Sequence, residues 1–197
     1  MVKSLDIWLA ALREPLARRG YTFSDTEIGA NFAIFRERMR GKIDDVDTIV
    51  AEAIQITNQR MPDVELYPDA VETLSYLRAR DKRIALVTTS SHEQVDPLLT
   101  KYGIAYLFNA VVCCDDVLNG KPHAEPLEKA LKTLHGNRQQ AIMIGDSGTD
   151  IAAANNAAID SALFCPPAHK TFYDIRQLKQ LGPTYIIEDF KQIMKFT

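Results

Sequence analysis

The chain has 197 residues, of which 46% are hydrophobic and 25% are charged, as is ordinary for a globular protein with a buried core. Its 23 basic and 26 acidic side chains give a net charge of −3, which argues against a nucleic-acid partner. No apolar run is long enough to span a membrane, and the N-terminal residues carry charges throughout, unlike a signal peptide. We therefore expect a cytoplasmic protein without nucleic-acid or membrane partners.

The first third of the sequence predicts helices and no convincing strand. Apolar residues recur there at intervals of three and four, which places them on one face of each helix. The helices are expected over residues 4–19, over 24–41 with Phe32 and Phe35 on the apolar face, and over 44–60. We expect them to form a small helical bundle, and we assign residues 1–66 to this domain.

From Tyr67 the pattern changes to helices that alternate with short apolar strands. Strands are expected at 83–87, 110–113, 141–144, 161–165 and 185–187, with helices at 68–80, 93–102, 126–135 and 171–181. Such an alternation implies right-handed crossovers and a mostly parallel sheet. We therefore predict a three-layer, Rossmann-like α/β domain over residues 67–197. Within it, the strand at 141–144 should be buried on both faces, and the helix at 68–80 should bury Val71, Leu74 and Leu77.

Polar side chains follow three of the predicted strands. They are Thr88, Thr89 and Ser90 in the first segment, Lys121 in the second, and Asp146 and Asp150 in the third. The carboxyl ends of parallel strands meet at one edge of a sheet, so these groups can surround one ligand. Hydroxyl groups and a lysine can hold phosphate oxygens, and paired carboxylates suit Mg²⁺. The alternative is that the threonine and the acids cap helices and that the lysine is solvated.

Taken together, the segments LVTTSS, GKPHAEP and MIGDSGTDI resemble three of the four motifs of the haloacid dehalogenase superfamily. The helical first third resembles the cap domain of that family, which lies over the active site. The resemblance implies that Thr88 and Lys121 are catalytic and bind the phosphoryl group together with Thr89 and Ser90. It also implies that Asp146 and Asp150 bind or position Mg²⁺. The GDS form of the last motif is similar to that of phosphatases of the phosphoglycolate phosphatase and pyrophosphatase type.

One expected motif is absent from the sequence. The family's first motif, DxDGT, supplies the aspartate nucleophile, and Met1-Val2-Lys3-Ser4 resembles the residues that follow it. Asp6 lies in an amphipathic helix and is a poor candidate for that role. In the family the first strand lies between those expected near Ile84 and Ala141, so without it each should expose an edge. An aspartyl-phosphate mechanism needs its nucleophile, and we expect no activity unless that segment is supplied.

The resemblance favours a Mg²⁺-dependent phosphohydrolase that acts on a small phosphorylated metabolite, as a monomer or homodimer. Two other functions remain open. A non-catalytic protein could use the remaining motif residues to bind phosphate or a partner. A phosphomutase shares most of these parts, although its last motif more often begins with Glu-Asp.

The cysteines and histidines show no metal-binding pattern. The three cysteines lack CxxC spacing, and the four histidines are scattered. Cys113 and Cys114 are expected within a strand, and Cys165 at the end of another. We therefore expect buried free thiols that form neither disulfides nor metal sites.

Overall fold

The computed structural model describes residues 1–29 and 35–195, and there the chain alternates helices and parallel strands after a helical first third. The α-helices are α1 Leu5–Arg18, α2 Asp25–Gly29, α3 Phe35–Met39, α4 Val46–Arg60, α5 Ala70–Arg78, α6 His92–Lys101, α7 Glu125–Thr133, α8 Gly148–Ala157 and α9 Ile175–Gln180. The strands are β1 Ala85–Val87, β2 Ala110–Val112, β3 Ile142–Gly145, β4 Asp160–Phe164 and β5 Tyr185–Ile187. None of the described helices is long and apolar enough to cross a membrane.

The chain divides into two compact units, and the first combines residues 1–67 with residues 168–174. Backbone hydrogen bonds join the two ends of residues 1–67. The amide of Lys3 donates to the Glu65 carbonyl over 2.8 Å, and that of Tyr67 donates to the Met1 carbonyl over 2.9 Å. Helices α1 and α4 pack against each other. Their apolar faces share one core, as the spacing of apolar residues predicted.

The second predicted helix is described only in part. Its ends form α2 and α3, and Ile28 and Phe35 are buried as expected. The residues between them, including Phe32, lie outside the described residues.

A short segment distant in sequence completes the first unit. Phe172 is buried in the core of that unit, and Tyr173 packs against it. The Tyr67 hydroxyl and His169 Nε2 lie 2.6 Å apart in a hydrogen bond. The helix predicted over 171–181 is therefore wrong in its first half, because the apolar side chains there serve a different core and α9 begins only at Ile175.

The second unit, residues 68–167 and 175–197, contains the strands. In the described residues they form two parallel sheets, one of β1 and β2 and the other in the order β3-β4-β5. Leu86 pairs with Val111 in the first sheet, and Ile144 pairs with Ala162 in the second. The alternation of helices with parallel strands agrees with the predicted α/β class.

Strands β1 and β3 are less buried than their sequences suggested. All three residues of β1 are half-buried, and in β3 only Met143 is buried while Ile142 and Ile144 are half-buried. The prediction that this strand is buried on both faces is therefore wrong. Each of these two strands is paired along one edge only in the sheets described above, whereas β4, paired on both sides, buries its last four residues. Strand β2 is also paired along one edge and still buries Ala110 and Val112, so edge pairing contributes to the exposure but does not decide it alone.

Helices α7 and α8 pack against each other and connect the two sheets. Helix α7 packs against β1, β2 and α8, and α8 packs against β3 and β4. The small side chains of Ala153, Ala154 and Ala157 allow close approach and share a buried cluster with Leu127 and Met143, against which Val87 of β1 also packs. This close packing is what the alanine-rich sequence predicted.

Helix α5 also buries an apolar face, but the face is rotated from the predicted one. Leu74 and Leu77 are buried as expected, whereas Val71 is 38% exposed. The buried face instead contains Ala70 and Thr73, which lie at the helical spacing of Leu74 and Leu77. The expected burial of Val71 is therefore wrong.

Candidate active site

The second unit contains a buried ion pair where the carboxyl ends of β1 and β3 meet. Lys121 Nζ lies 2.6 Å from Asp150 Oδ1, and the two side chains are only 9% and 6% exposed. The same ammonium group donates to the carbonyl of Val87, the last residue of β1, over 3.3 Å. Lys121 thus connects the end of β1 in one sheet with α8, the helix that follows β3 of the other sheet.

Asp150 is held in place by the start of its own helix. Ser147 is the N-cap of α8, and its hydroxyl accepts the amide hydrogen of Asp150. In return, Asp150 Oδ2 accepts the Ser147 amide over 3.1 Å and the Ser147 hydroxyl over 2.7 Å. This reciprocal arrangement is a capping box. The capping role that the sequence left open for Asp150 therefore exists, and the same carboxylate also pairs with Lys121.

The capping box depends on a glycine at the end of β3. A Cβ atom added to Gly145 would collide with Cβ, Cγ and Oδ2 of Asp150. Because Gly145 has no side chain, the Asp150 carboxylate can fold back against the strand. The carboxylate then lies where Lys121 can reach it.

Asp146 follows Gly145 directly and is half-buried. Burial raises the pKa of its carboxyl, and the nearby negative charge of Asp150 raises it further. The site thus holds two carboxyl groups, those of Asp146 and Asp150, whose negative charges repel each other, and both lie near Lys121. Such an arrangement is electrostatically suited to a cation.

Thr88, Thr89 and Ser90 follow β1 without a break. The Thr88 amide donates to the Val112 carbonyl over 3.0 Å, and its hydroxyl accepts the Ser90 amide over 3.1 Å. Thr89 is exposed and Ser90 is half-buried. Thr88 lies next to Val87, whose carbonyl accepts a hydrogen bond from Lys121. The segment is therefore beside the ion pair, and the Thr88 hydroxyl stabilises its own turn.

Sequence reasoning missed Ser147, although its signal was present. The spacing Ser147-x-x-Asp150 just before an apolar helix is that of a capping box. The prediction assigns Asp146 and Asp150 as metal ligands and gives no role to Ser147. The geometry shows that Ser147 fixes the orientation of Asp150.

The donor set fits Mg²⁺, with different roles for the two acids. Mg²⁺ takes oxygen ligands and usually only one or two protein carboxylates. Both oxygens of Asp150 already accept hydrogen bonds, one from Lys121 and the other from Ser147. Asp146 is therefore the better direct ligand for Mg²⁺. Asp150 is better suited to position Lys121 and to add negative charge near the metal.

Comparison with known proteins places these residues in a family. Residues 1–164 match the haloacid dehalogenase-like hydrolase family. The chain is 32% identical over 131 residues to pyrophosphatase PpaX of Oceanobacillus iheyensis, covering 66% of this chain and 59% of that protein. It is 35% identical over 129 residues to phosphoglycolate phosphatase of Colwellia psychrerythraea, covering 66% of this chain and 55% of that protein. The chain thus spans less than two thirds of the length of these curated relatives.

Solved structures share the fold. A haloacid dehalogenase-like protein from Agrobacterium tumefaciens superposes with a TM-score of 0.83 at 18% identity, covering 99% of this chain and 91% of that one. A haloacid dehalogenase-like family hydrolase from Streptococcus pneumoniae gives 0.80 at 17% identity, covering 100% and 92%. These similarities confirm the predicted α/β fold class. Together with the family match and the order of the three motifs, they establish that this chain belongs to the haloacid dehalogenase-like hydrolase family.

Proposed function

We propose that this chain provides the phosphoryl-binding and metal-binding parts of a Mg²⁺-dependent phosphohydrolase for a small phosphorylated metabolite. The observation that carries this proposal is the buried Lys121–Asp150 pair at the carboxyl ends of β1 and β3. A buried ammonium group is costly unless it is paired. The ammonium group of Lys121 donates to Asp150 and to the Val87 carbonyl, which leaves one of its three hydrogens for an oxygen of an anionic substrate. The relatives named as pyrophosphatase and phosphoglycolate phosphatase support this class of substrate.

Each residue has a role that its surroundings support. Lys121 would neutralise charge on the phosphoryl oxygens, and Thr88, Thr89 and Ser90 would bind those oxygens through hydroxyl and amide groups. Asp146 would hold Mg²⁺, and Asp150 would position Lys121. Bound Mg²⁺ would supply positive charge to the phosphoryl oxygens. Residues 1–66 would act as the cap domain and 67–197 as the catalytic domain.

A binding measurement tests the metal and phosphate sites directly. Isothermal titration calorimetry should show Mg²⁺ binding that is lost in Asp146→Asn and phosphate binding that is weakened at least about tenfold in Lys121→Gln. The first change removes the ligand charge, and the second removes a charge-assisted hydrogen bond worth about 1.5–3 kcal/mol. Asp160→Asn, which changes an exposed acid on β4, is the matched control and should change neither. Mg²⁺ binding that is unchanged in Asp146→Asn would contradict the assignment.

Turnover is tested separately, because the DxDGT motif is absent from the sequence. Phosphate release from pyrophosphate and phosphoglycolate should be undetectable with the chain itself. It should appear when an apolar strand ending in DxDGT is fused before Met1, and it should be lost again when the first aspartate of that motif becomes asparagine. Binding without turnover in the fused protein would favour the non-catalytic alternative. Turnover only with a bisphosphate activator would favour the phosphomutase.

A further inference from the structure

A second cluster of chemically reactive side chains lies at the ends of β1 and β2. His92 is the first residue of α6, and Cys113 directly follows β2. Asp115 and Asp116 belong to the short 3₁₀ turn Cys114–Asp116. One ligand atom from each of these four residues lies within 4.8 Å of all the others. The fold thus brings a nitrogen of His92 next to a sulfur and two oxygens from residues 113–116, a segment that begins 21 residues later in the sequence.

Hydrogen bonds already fix the positions of the side chains in this cluster. His92 Nε2 lies 2.9 Å from Asp116 Oδ2, and the amide of Cys113 donates to the same oxygen over 2.9 Å. Both oxygens of Asp115 accept the backbone amide of His92. The two acidic side chains are therefore oriented by backbone groups, which reduces the cost of ordering them around a ligand.

The cluster carries more negative than positive charge. Asp96 Oδ1 lies 3.3 Å from His92 Nδ1, which adds a third acid beside Asp115 and Asp116. Lys129 approaches from α7, with Nζ 3.2 Å from Asp116 Oδ1. The Cys113 amide, His92 and Lys129 lower the pKa of Asp116 to about 2, so that it is a carboxylate at neutral pH. Burial, together with the nearby acids, raises the pKa of Cys113 to about 12.

We propose that His92, Cys113, Asp115 and Asp116 form a binding site for a divalent transition metal of the Zn²⁺ type. Zn²⁺ binds nitrogen, sulfur and oxygen at about 2.0–2.3 Å in a tetrahedron, which places the ligand atoms about 3.3–3.8 Å apart. The present separations, all within 4.8 Å, need only small side-chain movements to reach this arrangement. The mixed donor set distinguishes this site from the all-oxygen pair Asp146 and Asp150, because thiolate and imidazole favour transition metals over Mg²⁺.

Metal binding releases protons from the cluster and replaces some of its hydrogen bonds. The Cys113 S–H bond breaks, a metal–sulfur bond forms, and the proton passes to water. Because Asp116 is a carboxylate, the hydrogen of its bond to His92 is on Nε2. That hydrogen leaves as a proton to water, a bond from Nε2 to the metal forms in its place, and Nδ1 carries the hydrogen that faces Asp96. The metal also competes with the ammonium group of Lys129 for the Asp116 carboxylate. Removing that ammonium group should therefore strengthen metal binding.

The test uses Co²⁺ as a spectroscopic substitute for Zn²⁺, with the intact chain and excess Mg²⁺ present. Co²⁺ should produce a thiolate-to-metal charge-transfer absorption, and Zn²⁺ should remove it by competition. Cys113→Ala should abolish the absorption. Cys114→Ala should leave it unchanged, since Cys114 is the exposed neighbour and serves as the matched control. Lys129→Met should lower the Co²⁺ dissociation constant.

His92→Gln keeps the proposal testable if the buried Cys113 variant fails to fold. The His92 side chain is 39% exposed, so its replacement leaves the core intact. It should weaken Co²⁺ binding by at least the roughly 10- to 100-fold that losing a supporting group of a metal site costs. Absence of the absorption in the unaltered chain would overturn the proposal. Its persistence in Cys113→Ala, or its loss in Cys114→Ala, would place the metal elsewhere and overturn it equally.

Discussion

Replacing Lys121 with methionine should lower the free energy of unfolding by about 3–5 kcal/mol, the usual cost of removing one partner from a buried ion pair. The Asp150 carboxylate is only 6% exposed and would lose the ammonium group 2.6 Å from its Oδ1. Methionine keeps the length and most of the volume of the side chain, so packing contributes little to the loss. Urea-induced unfolding of the second unit, followed by circular dichroism, gives the measurement.

The matched control for this prediction is Lys191→Met. Lys191 also bridges acids, with Nζ 3.1 Å from Asp69 and 3.2 Å from Glu72, but its side chain is half exposed. Solvent screens such pairs, so the control should change the unfolding midpoint very little. If Lys121→Met is no more destabilising than Lys191→Met, the buried pair does not have the energetic role assigned to it.

Gly145→Ala should destabilise the protein by about 1–3 kcal/mol, the usual cost of adding a methyl group where no space exists. The new Cβ atom would overlap Asp150, whose carboxylate is fixed by Ser147 and Lys121. To relieve the overlap, Asp150 must leave the capping box or β3 must shift. Both movements disturb Lys121, so phosphate affinity should fall together with the free energy of unfolding.

Gly120→Ala is the control, because Gly120 precedes Lys121 and therefore flanks the same site. A Cβ atom there would meet no atom within 4 Å, and the backbone of Gly120 is outside the left-handed region. The substitution should therefore leave stability unchanged or raise it by up to about 1 kcal/mol, because alanine restricts the unfolded chain. Equal effects of the two alanine substitutions on the unfolding midpoint would contradict the proposed close packing of Gly145 and Asp150.

Much of the candidate site could be predicted from the sequence because its residues follow strands. Short apolar runs located β1 and β3 to within two residues at either end. The alternation of strands with helices then indicated parallel strands, whose carboxyl ends hold polar groups. Lys121 and Asp150 do meet near the ends of β1 and β3. Their roles in binding and catalysis stay predictions.

Other features depended on contacts that periodicity does not reveal. Val71 is exposed although it lies at helical spacing from Leu74, because α5 buries the neighbouring face that contains Thr73. Phe172 packs into the core of the first unit, so the last predicted helix begins later than expected. Cys114 is exposed and lies beyond the end of β2, contrary to its expected place in a buried strand.

The sequence by itself determined the fold class, the family and the order of the motifs along the chain, because these follow from apolar spacing and from residue types at fixed local separations. The sequence also predicted that Lys121 and Asp150 lie at one edge of the sheet, but only the tertiary structure decided which side chains contact each other directly. It paired Lys121 with Asp150 across 29 positions and brought His92 beside Cys113 and two acids. Neither pairing has a local signal, because contacts between distant segments are fixed by how helices and sheets pack and not by the spacing of residues within one element.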